Sequence, residues 1–444
     1  MRNLTCILIT AIVAVSVTMS GCGGGGGGGG SNDSTGAAAP AASSPAAASA
    51  PAASSGAPAA SAPAAAAPAQ SAAPASAPAN TVAQSTTPNV QPITVAQIAT
   101  GTRNMLQTSV TICVPGTNTC QTINNIQVDT GSQGLRILAS ALAPTLVLPS
   151  VTASTGSTAA SCTVFGSGYT WGSVRTADVH LAGEVAAATS IQVIADPAIP
   201  AVPTDCANSG PPMLTATALR SNGILGVGPF SADCGSGCAS TALPRWYYGC
   251  SSGACVAAAL PVAQQVTNPI SRFATDNNGL VIELPAVAAA GAASVTGTMT
   301  FGIGSQSNNL LGSAQVLPGN SMTGFVSTAF QGQTYSTSYI DSGSNGMFFT
   351  LSSVPPCGYW YCPTTVQSLA ATVAGINGAT ANVSFTIGNA TSLFASGNNA
   401  LSNLAGRAVS NSFAWGLPFF FGRRVFTAIE ASATPAGNGP YYAF

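Results

Sequence analysis

Two short stretches of one 444-residue chain carry the same pattern: Val128-Asp129-Thr130-Gly131-Ser132-Gln133-Gly134-Leu135 and Ile340-Asp341-Ser342-Gly343-Ser344-Asn345-Gly346-Met347. Each sets one carboxylate behind an apolar, strand-like run and follows it with hydroxyl and Gly residues. The copies stand 212 positions apart in a chain holding only eight Asp and three Glu, so chance is a poor explanation of the repetition. A fold made of two like halves can bring such carboxylates together at the junction. Sharing one proton, they would supply a general acid and a general base from a single residue type.

The length allows a large core or two lobes. Only 5% of residues are charged, with ten Arg and no Lys, and a surface so poor in cations is unsuited to phosphate backbones. Nucleic acid is therefore excluded as a partner. Beyond the N-terminus no apolar run reaches the roughly 18 residues of a membrane helix.

Residues 1–21 read as an export signal, with Arg2 as the positive end, Ile7 to Val17 as the apolar centre and Met19-Ser20-Gly21 as the small-residue cleavage region. Small residues directly before Cys22 resemble the lipobox of bacterial lipoproteins, in which Leu usually stands where this chain has Met19. The resemblance implies that Cys22 is acylated and anchors the protein to a membrane. Gly23, rather than Asp, at the next position implies the outer membrane, with its periplasmic or surface face left open. From 22 to 90 the Gly run and the Ala/Pro/Ser tract offer almost no large apolar side chain, so this stretch reads as a disordered tether. Its reach is on the order of 45 Å or more.

Apart from Cys6 in the export signal and Cys22, ten Cys remain, an even number that fits an oxidising compartment. Spacing pairs Cys113 with Cys120, Cys357 with Cys362 and Cys162 with Cys206. The cluster Cys234, Cys238, Cys250 and Cys255 allows three pairings, of which the local ones are simplest. A metal site is disfavoured by the single His of the chain, and no cofactor is expected.

From Gln91 onward, short runs rich in Val, Ile, Thr and Phe alternate with Gly, Asn, Pro and Ser: 109–114, 122–128, 170–181, 191–194, 280–284, 297–303, 324–330, 334–340, 383–387 and 420–428. The fold is expected to be mostly β, with Val366 to Val373 as a short helix. The residues divide into an N-terminal lobe, 91–278, and a C-terminal lobe, 279–444, each with one Asp loop.

The order of motifs resembles the pepsin-like aspartic peptidases. After the first Asp loop, Phe165-Gly166-Ser167-Gly168-Tyr169-Thr170-Trp171-Gly172 stands where that family has its flap hairpin. Asn222-Gly223-Ile224-Leu225-Gly226-Val227 resembles its Asp-Gly-Ile-Leu-Gly-Leu segment, and Gly297 to Ile303 its opening strand of the second lobe. Gly416-Leu417-Pro418 and the run to Glu430 resemble its late Ile-Leu-Gly-Asp stretch, which puts Pro418 at the late Gly. The resemblance implies a bilobed fold, with Asp129 and Asp341 as catalytic pair and an extended peptide or unfolded protein as substrate. It also implies that Thr130 and Ser342 cross-bond the loops, that Ser132 and Ser344 steady the outer oxygens, and that Gly131 and Gly343 open the turns. Phe165, Gly166, Tyr169 and Trp171 become candidates for substrate contact, and the protein is expected to act as a monomer. The chain also resembles an uncharacterised family of bacterial lipoproteins known only as a domain of unknown function.

There are departures. The family's flap Tyr falls on Phe165 and the Trp that bonds it on Arg136, so the hairpin must be held otherwise, through Tyr169 or Trp171. Arg136, if it approached Asp129, would lower that carboxyl's pKa. The rival to an aspartic endopeptidase is thus a peptide- or protein-binding, inhibitor-like lipoprotein that keeps the groove without turnover. Gly249-Cys250-Ser251-Ser252-Gly253 matches a Ser hydrolase pattern but lacks the strand-to-helix setting. His180, in an alternating run, reads as a strand residue.

Overall fold

The computed structural model describes residues 88–199, 201–408 and 411–444. The expected export signal, Cys22 and the tether up to 87 lie outside the described residues. The described chain is mostly β, as expected.

The first half is built from β1 (Val90–Val95), β2 (Leu106–Cys113), β3 (Cys120–Asp129), β4 (Gln133–Leu138), β5 (Thr158–Phe165), β6 (Gly168–Leu181), β7 (Glu184–Ile194), β8 (Gly223–Val227), β9 (Tyr247–Ser251) and β10 (Ala254–Ala257). The second half follows with β11 (Gly279–Leu284), β12 (Val295–Phe301), β13 (Val316–Pro318), β14 (Val326–Phe330), β15 (Gln333–Ile340) and β16 (Met347–Phe349). Its later strands are Gln367–Ala374, Thr380–Ile387, Ala405–Arg407, Ser412–Trp415 and Arg423–Ala428.

The duplication seen in the sequence recurs as topology. In the first half an antiparallel pair, β2 and β3, leads into the Asp129 loop and then β4; β8 afterwards lies parallel to β3 and antiparallel to β4. In the second half β14 and β15 lead into the Asp341 loop and β16, and Ser412–Trp415 lies parallel to β15 and antiparallel to β16. The sheet order then runs from β2 through β1 to β12, β11 and Arg423–Ala428, so both halves share one continuous sheet. Alternating burial fixes the register of β1, whose Ile93 and Val95 point inward, and Val110 and Ile112 of β2 join them in the core. Aromatic rings fill the second half, where Phe349 and Phe413 stack at 4.8 Å and Trp415 lies 4.5 Å from Phe413.

One expected element is corrected. The segment 366–373, read as a short helix, is the strand Gln367–Ala374, paired with Thr380–Ile387 and with β14. Val366, Leu369, Ala370 and Val373 suit a helical stripe, but Leu369, Ala371 and Val373 suit period two equally. Two strand partners decide the matter, leaving Ala371 and Val373 buried and Val366 exposed.

Five disulfides close as spacing suggested, including the local pairs Cys234–Cys238 and Cys250–Cys255. Cys162–Cys206 closes the longest loop, 44 residues, against separations of four to seven for the others. By loop-closure entropy its removal as a Cys→Ala pair is expected to cost about 4 kcal/mol, against about 2 kcal/mol for Cys250–Cys255. Denaturant unfolding of the two double variants measures the difference.

Candidate active site

Each aspartate sits at the end of a strand that another strand overtakes in parallel. Leu225 of β8 stands opposite Val128 and Gly226 opposite Asp129. In the other half Trp415 stands opposite Ile340, and the Asp341 N–H donates to its carbonyl at 2.9 Å. The overtaking strand must press on the turn that follows each aspartate, which leaves no space for a side chain. A Cβ on Gly226 would stand 2.7 Å from the backbone of Gln133, and one on Gly416 would stand 2.0 Å from the carbonyl of Gly346. The counterpart of Gly226 is therefore Gly416, not Pro418 as expected. Ala414-Trp415-Gly416 takes the place of Ile224-Leu225-Gly226, and Pro418 lies two residues later in a short 3-10 turn.

The two loops are locked to each other by four buried bonds. Thr130 N–H donates to Ser342 Oγ (3.1 Å) and Ser342 N–H to Thr130 Oγ1 (2.9 Å), while Thr130 Oγ1 donates to the Ile340 carbonyl (3.0 Å) and Ser342 Oγ to that of Val128 (2.9 Å). Each hydroxyl both accepts and donates, so no polar group of this crossing is left without a partner. Above it the carboxylates are held in the same way in both halves. Gly131 N–H reaches Asp129 Oδ1 at 2.8 Å and Ser132 Oγ reaches Oδ2 at 2.6 Å; Gly343 N–H and Ser344 Oγ do the same for Asp341, at 2.8 and 2.6 Å.

Each carboxylate also lies against the other loop's glycine. A Cβ on Gly131 would be 2.7 Å from Asp341 Cγ, and one on Gly343 would be 2.5 Å from Asp129 Oδ1. Gly131→Ala and Gly343→Ala are therefore each expected to displace a carboxylate and lower any dyad-dependent turnover about 100-fold, with the fold retained. Initial rates and thermal melts of both variants check this.

Asp129 is 7% exposed, and Thr130 and Ser342 beneath it are buried. Asp341, Ser132, Gly343 and Ser344 are only partly buried and Gly131 is exposed, so the outer face of the pair meets solvent. Burial, reinforced by the nearby charge of Asp341, raises the Asp129 carboxyl well above the ordinary carboxylate range. Tyr339 and Tyr442 are likewise raised, first by burial and then by the charge of Asp341, which places both hydroxyls within its field. Gln127, which sequence reading passed over, spans the loops by donating Nε2–H to the Gly343 carbonyl at 2.9 Å. It stands two residues before Asp129 on the same strand face, a position the period of β3 marks.

The hairpin of β5 and β6 turns at Gly166 and Ser167, both exposed, with Phe165 half-buried behind them. Tyr169 and Trp171, expected among the substrate contacts, are buried. Trp171 stacks edge-on to Tyr248 at 5.3 Å and donates its indole N–H to the Ile199 carbonyl at 3.1 Å; Tyr169 pairs through its backbone with Pro211 and Met213. They secure the hairpin from inside the sheet, because β6 residues of that parity face the core beside the Cys162–Cys206 bridge.

Arg136 does not approach Asp129 as considered above. Its buried guanidinium pairs with Asp233 at 3.1 Å and lies 5.9 Å from the Phe165 ring. Burial raises the Asp233 carboxyl to about 6, against the opposing pull of Arg136.

His180 pairs with Thr111 within the sheet, and the Gly249–Gly253 pattern forms the turn between β9 and β10, closed by Cys250–Cys255. Among the described residues no three His, Cys, Asp or Glu side chains gather as metal ligands. A cavity of 660 Å³ beside that disulfide, lined by Ser150, Arg175 and Ser251, includes neither aspartate.

A family model described as "Protein of unknown function (DUF3443)" matches residues 85–444. No curated protein matches the chain. Among solved structures, an aspartic proteinase from Irpex lacteus is similar at 17% identity and a TM-score of 0.47, over 80% of this chain and 96% of that one.

Proposed function

The chain belongs to the DUF3443 family, whose function is unknown, and from its own site we propose that it is an aspartic endopeptidase acting through Asp129 and Asp341. One observation carries the reading. Two carboxylates, each held by the same amide and hydroxyl and each seated on the other's loop, face solvent on one side. Two carboxylates packed this closely, one of them buried, disfavour double ionisation, so the pair keeps one proton. Burial favours that proton on Asp129, the less exposed of the two.

With a peptide across the pair, the ionised carboxylate takes a proton from a water as its oxygen attacks the carbonyl carbon. The protonated carboxyl gives its proton to the carbonyl oxygen, forming a neutral gem-diol. As the diol collapses, the protonated carboxyl gives its proton to the leaving nitrogen and the ionised one takes a proton from a diol hydroxyl, so the C–N bond breaks, a carboxylic acid and an amine form, and the pair regains its single proton without a covalent enzyme intermediate. Ser132 and Ser344 hold the outer oxygens while the proton moves.

As substrate we propose an extended peptide or unfolded protein laid across the solvent-facing side of the pair, between lobes 91–278 and 279–444. We further propose a monomer anchored through acylated Cys22 at the outer membrane, supported by the small residues preceding that Cys. The test is cleavage of an unfolded protein between about pH 3 and 7 by the chain from residue 88, with block by a statine-type peptide. Absence of both cleavage and inhibitor binding would refute it. A binding role without turnover has one observation in its favour: Phe165 brings no hydroxyl to the hairpin, and its ring instead packs beside Arg136. Inhibitor binding without cleavage would select that reading.

A further inference from the structure

We propose that Arg136 is a positioning residue that ties the Asp129 loop to the β5–β6 hairpin, so that both hold one register when substrate is bound. The inference rests on the peptidase reading of the dyad. A guanidinium taken out of water is strongly unfavourable unless its charge and donors are met, and an apolar side chain would fill the same space more simply.

The donors of Arg136 are divided between two elements. Nη1 donates to the carbonyls of Gln133 and Gly134, the second at 3.2 Å. These are the residues immediately after Ser132, whose hydroxyl holds Asp129. Nε donates to Thr163 Oγ1 at 3.1 Å, and the same guanidinium lies near the face of Phe165; both residues stand just before the exposed hairpin tip. Nη2 pairs with Asp233, whose other oxygen accepts from the Tyr247 hydroxyl, and that hydroxyl accepts from the Val266 N–H at 2.8 Å. The counter-ion is thereby fixed, and the guanidinium cannot swing away from its two clients.

Sheet order shows why a side chain is needed. β5 and β4 are separated by β6 and β7, so no hydrogen-bond ladder joins the hairpin base directly to the strand leaving the Asp129 loop. Arg136 crosses that gap.

Two double variants of the chain from residue 88 test the link after thermal melts confirm folding. Thr163→Val with Phe165→Leu severs the hairpin side and keeps the ion pair. Arg136→Leu with Asp233→Leu removes the whole link without leaving a buried charge alone. Amide hydrogen exchange is expected to quicken about 10-fold over 164–170 in both, and over 131–135 in the second only. With a cleaved peptide, KM is expected to rise about 10-fold in the first variant while kcat changes less. Parental exchange in the hairpin of both variants would overturn the proposal, as would an unchanged KM. Should the parent cleave nothing, the peptidase reading fails and the exchange data still decide the coupling.

Discussion

Asp129→Asn and Asp341→Asn are each expected to reduce peptide cleavage by at least about 1,000-fold, since general acid and general base are lost together when either carboxyl cannot exchange its proton. A statine-type inhibitor should also bind far more weakly to each. The Asp129 variant carries a second, separable signature. Because folding raises the Asp129 pKa above its ordinary value of 3.8, the folded state holds this proton more tightly than the unfolded chain. The stability that this confers is fully present below the ordinary value and is lost as pH rises through the raised one. The parent is thus expected to melt at progressively lower temperature from mildly acid pH through neutrality. The Asp129→Asn variant, whose amide is neutral throughout and of the same shape, should flatten that slope and be the more stable protein at the alkaline end. A melting series across pH on both proteins measures it, and parallel curves would show that Asp129 is not the group that holds the proton.

The second large effect concerns the crossing beneath the carboxylates. Thr130→Val removes the acceptor for the Ser342 N–H and the donor to the Ile340 carbonyl; Ser342→Ala does the same to Thr130 N–H and the Val128 carbonyl. Each change leaves two buried backbone groups without partners, and each is expected to cost about 2–4 kcal/mol. The double variant should lose about 4–6 kcal/mol, a large share of the roughly 5–15 kcal/mol typical of a folded domain. Thr130→Ser and Ser342→Thr keep the hydroxyls and should stay close to the parent. Denaturant midpoints at unchanged m-value distinguish these outcomes.

Local chemistry was legible in the sequence, as were two contacts between distant segments, the Thr130–Ser342 crossing that the family resemblance implied and Cys162–Cys206; other distant contacts were not. The repeated Asp loops stand out because strand, carboxylate, Gly and hydroxyl must follow in that order for the turn to close. Cys pairs four to seven residues apart were readable for the same reason. Segment 366–373 was misread because its apolar residues satisfy two periods, and only the neighbouring strands choose between them. The late glycine was placed on Pro418 because Gly-Leu-Pro resembles the expected run, while Ala414 and Trp415 disguise the true position before Gly416. The partner of Arg136 lies 97 residues away, in a Cys-rich segment that no local pattern connects to the Asp129 loop. Tyr169 and Trp171 looked available because strand parity fixes which residues share a face, but not which face is covered.

Within the shared sheet, the seam between the halves is a single short strand near the start of the described chain. β1 is the one member of the shared sheet that touches both β2 and β12, with six residue pairs to the latter. A pull on the chain ahead of residue 90 therefore loads that ladder along its length, where bonds resist together in shear instead of opening one at a time like a zip. Clipping the backbone just after residue 95 would leave this strand joined to β2 by its ladder alone, and the Thr130–Ser342 crossing would then carry more of the load that keeps the paired aspartates together.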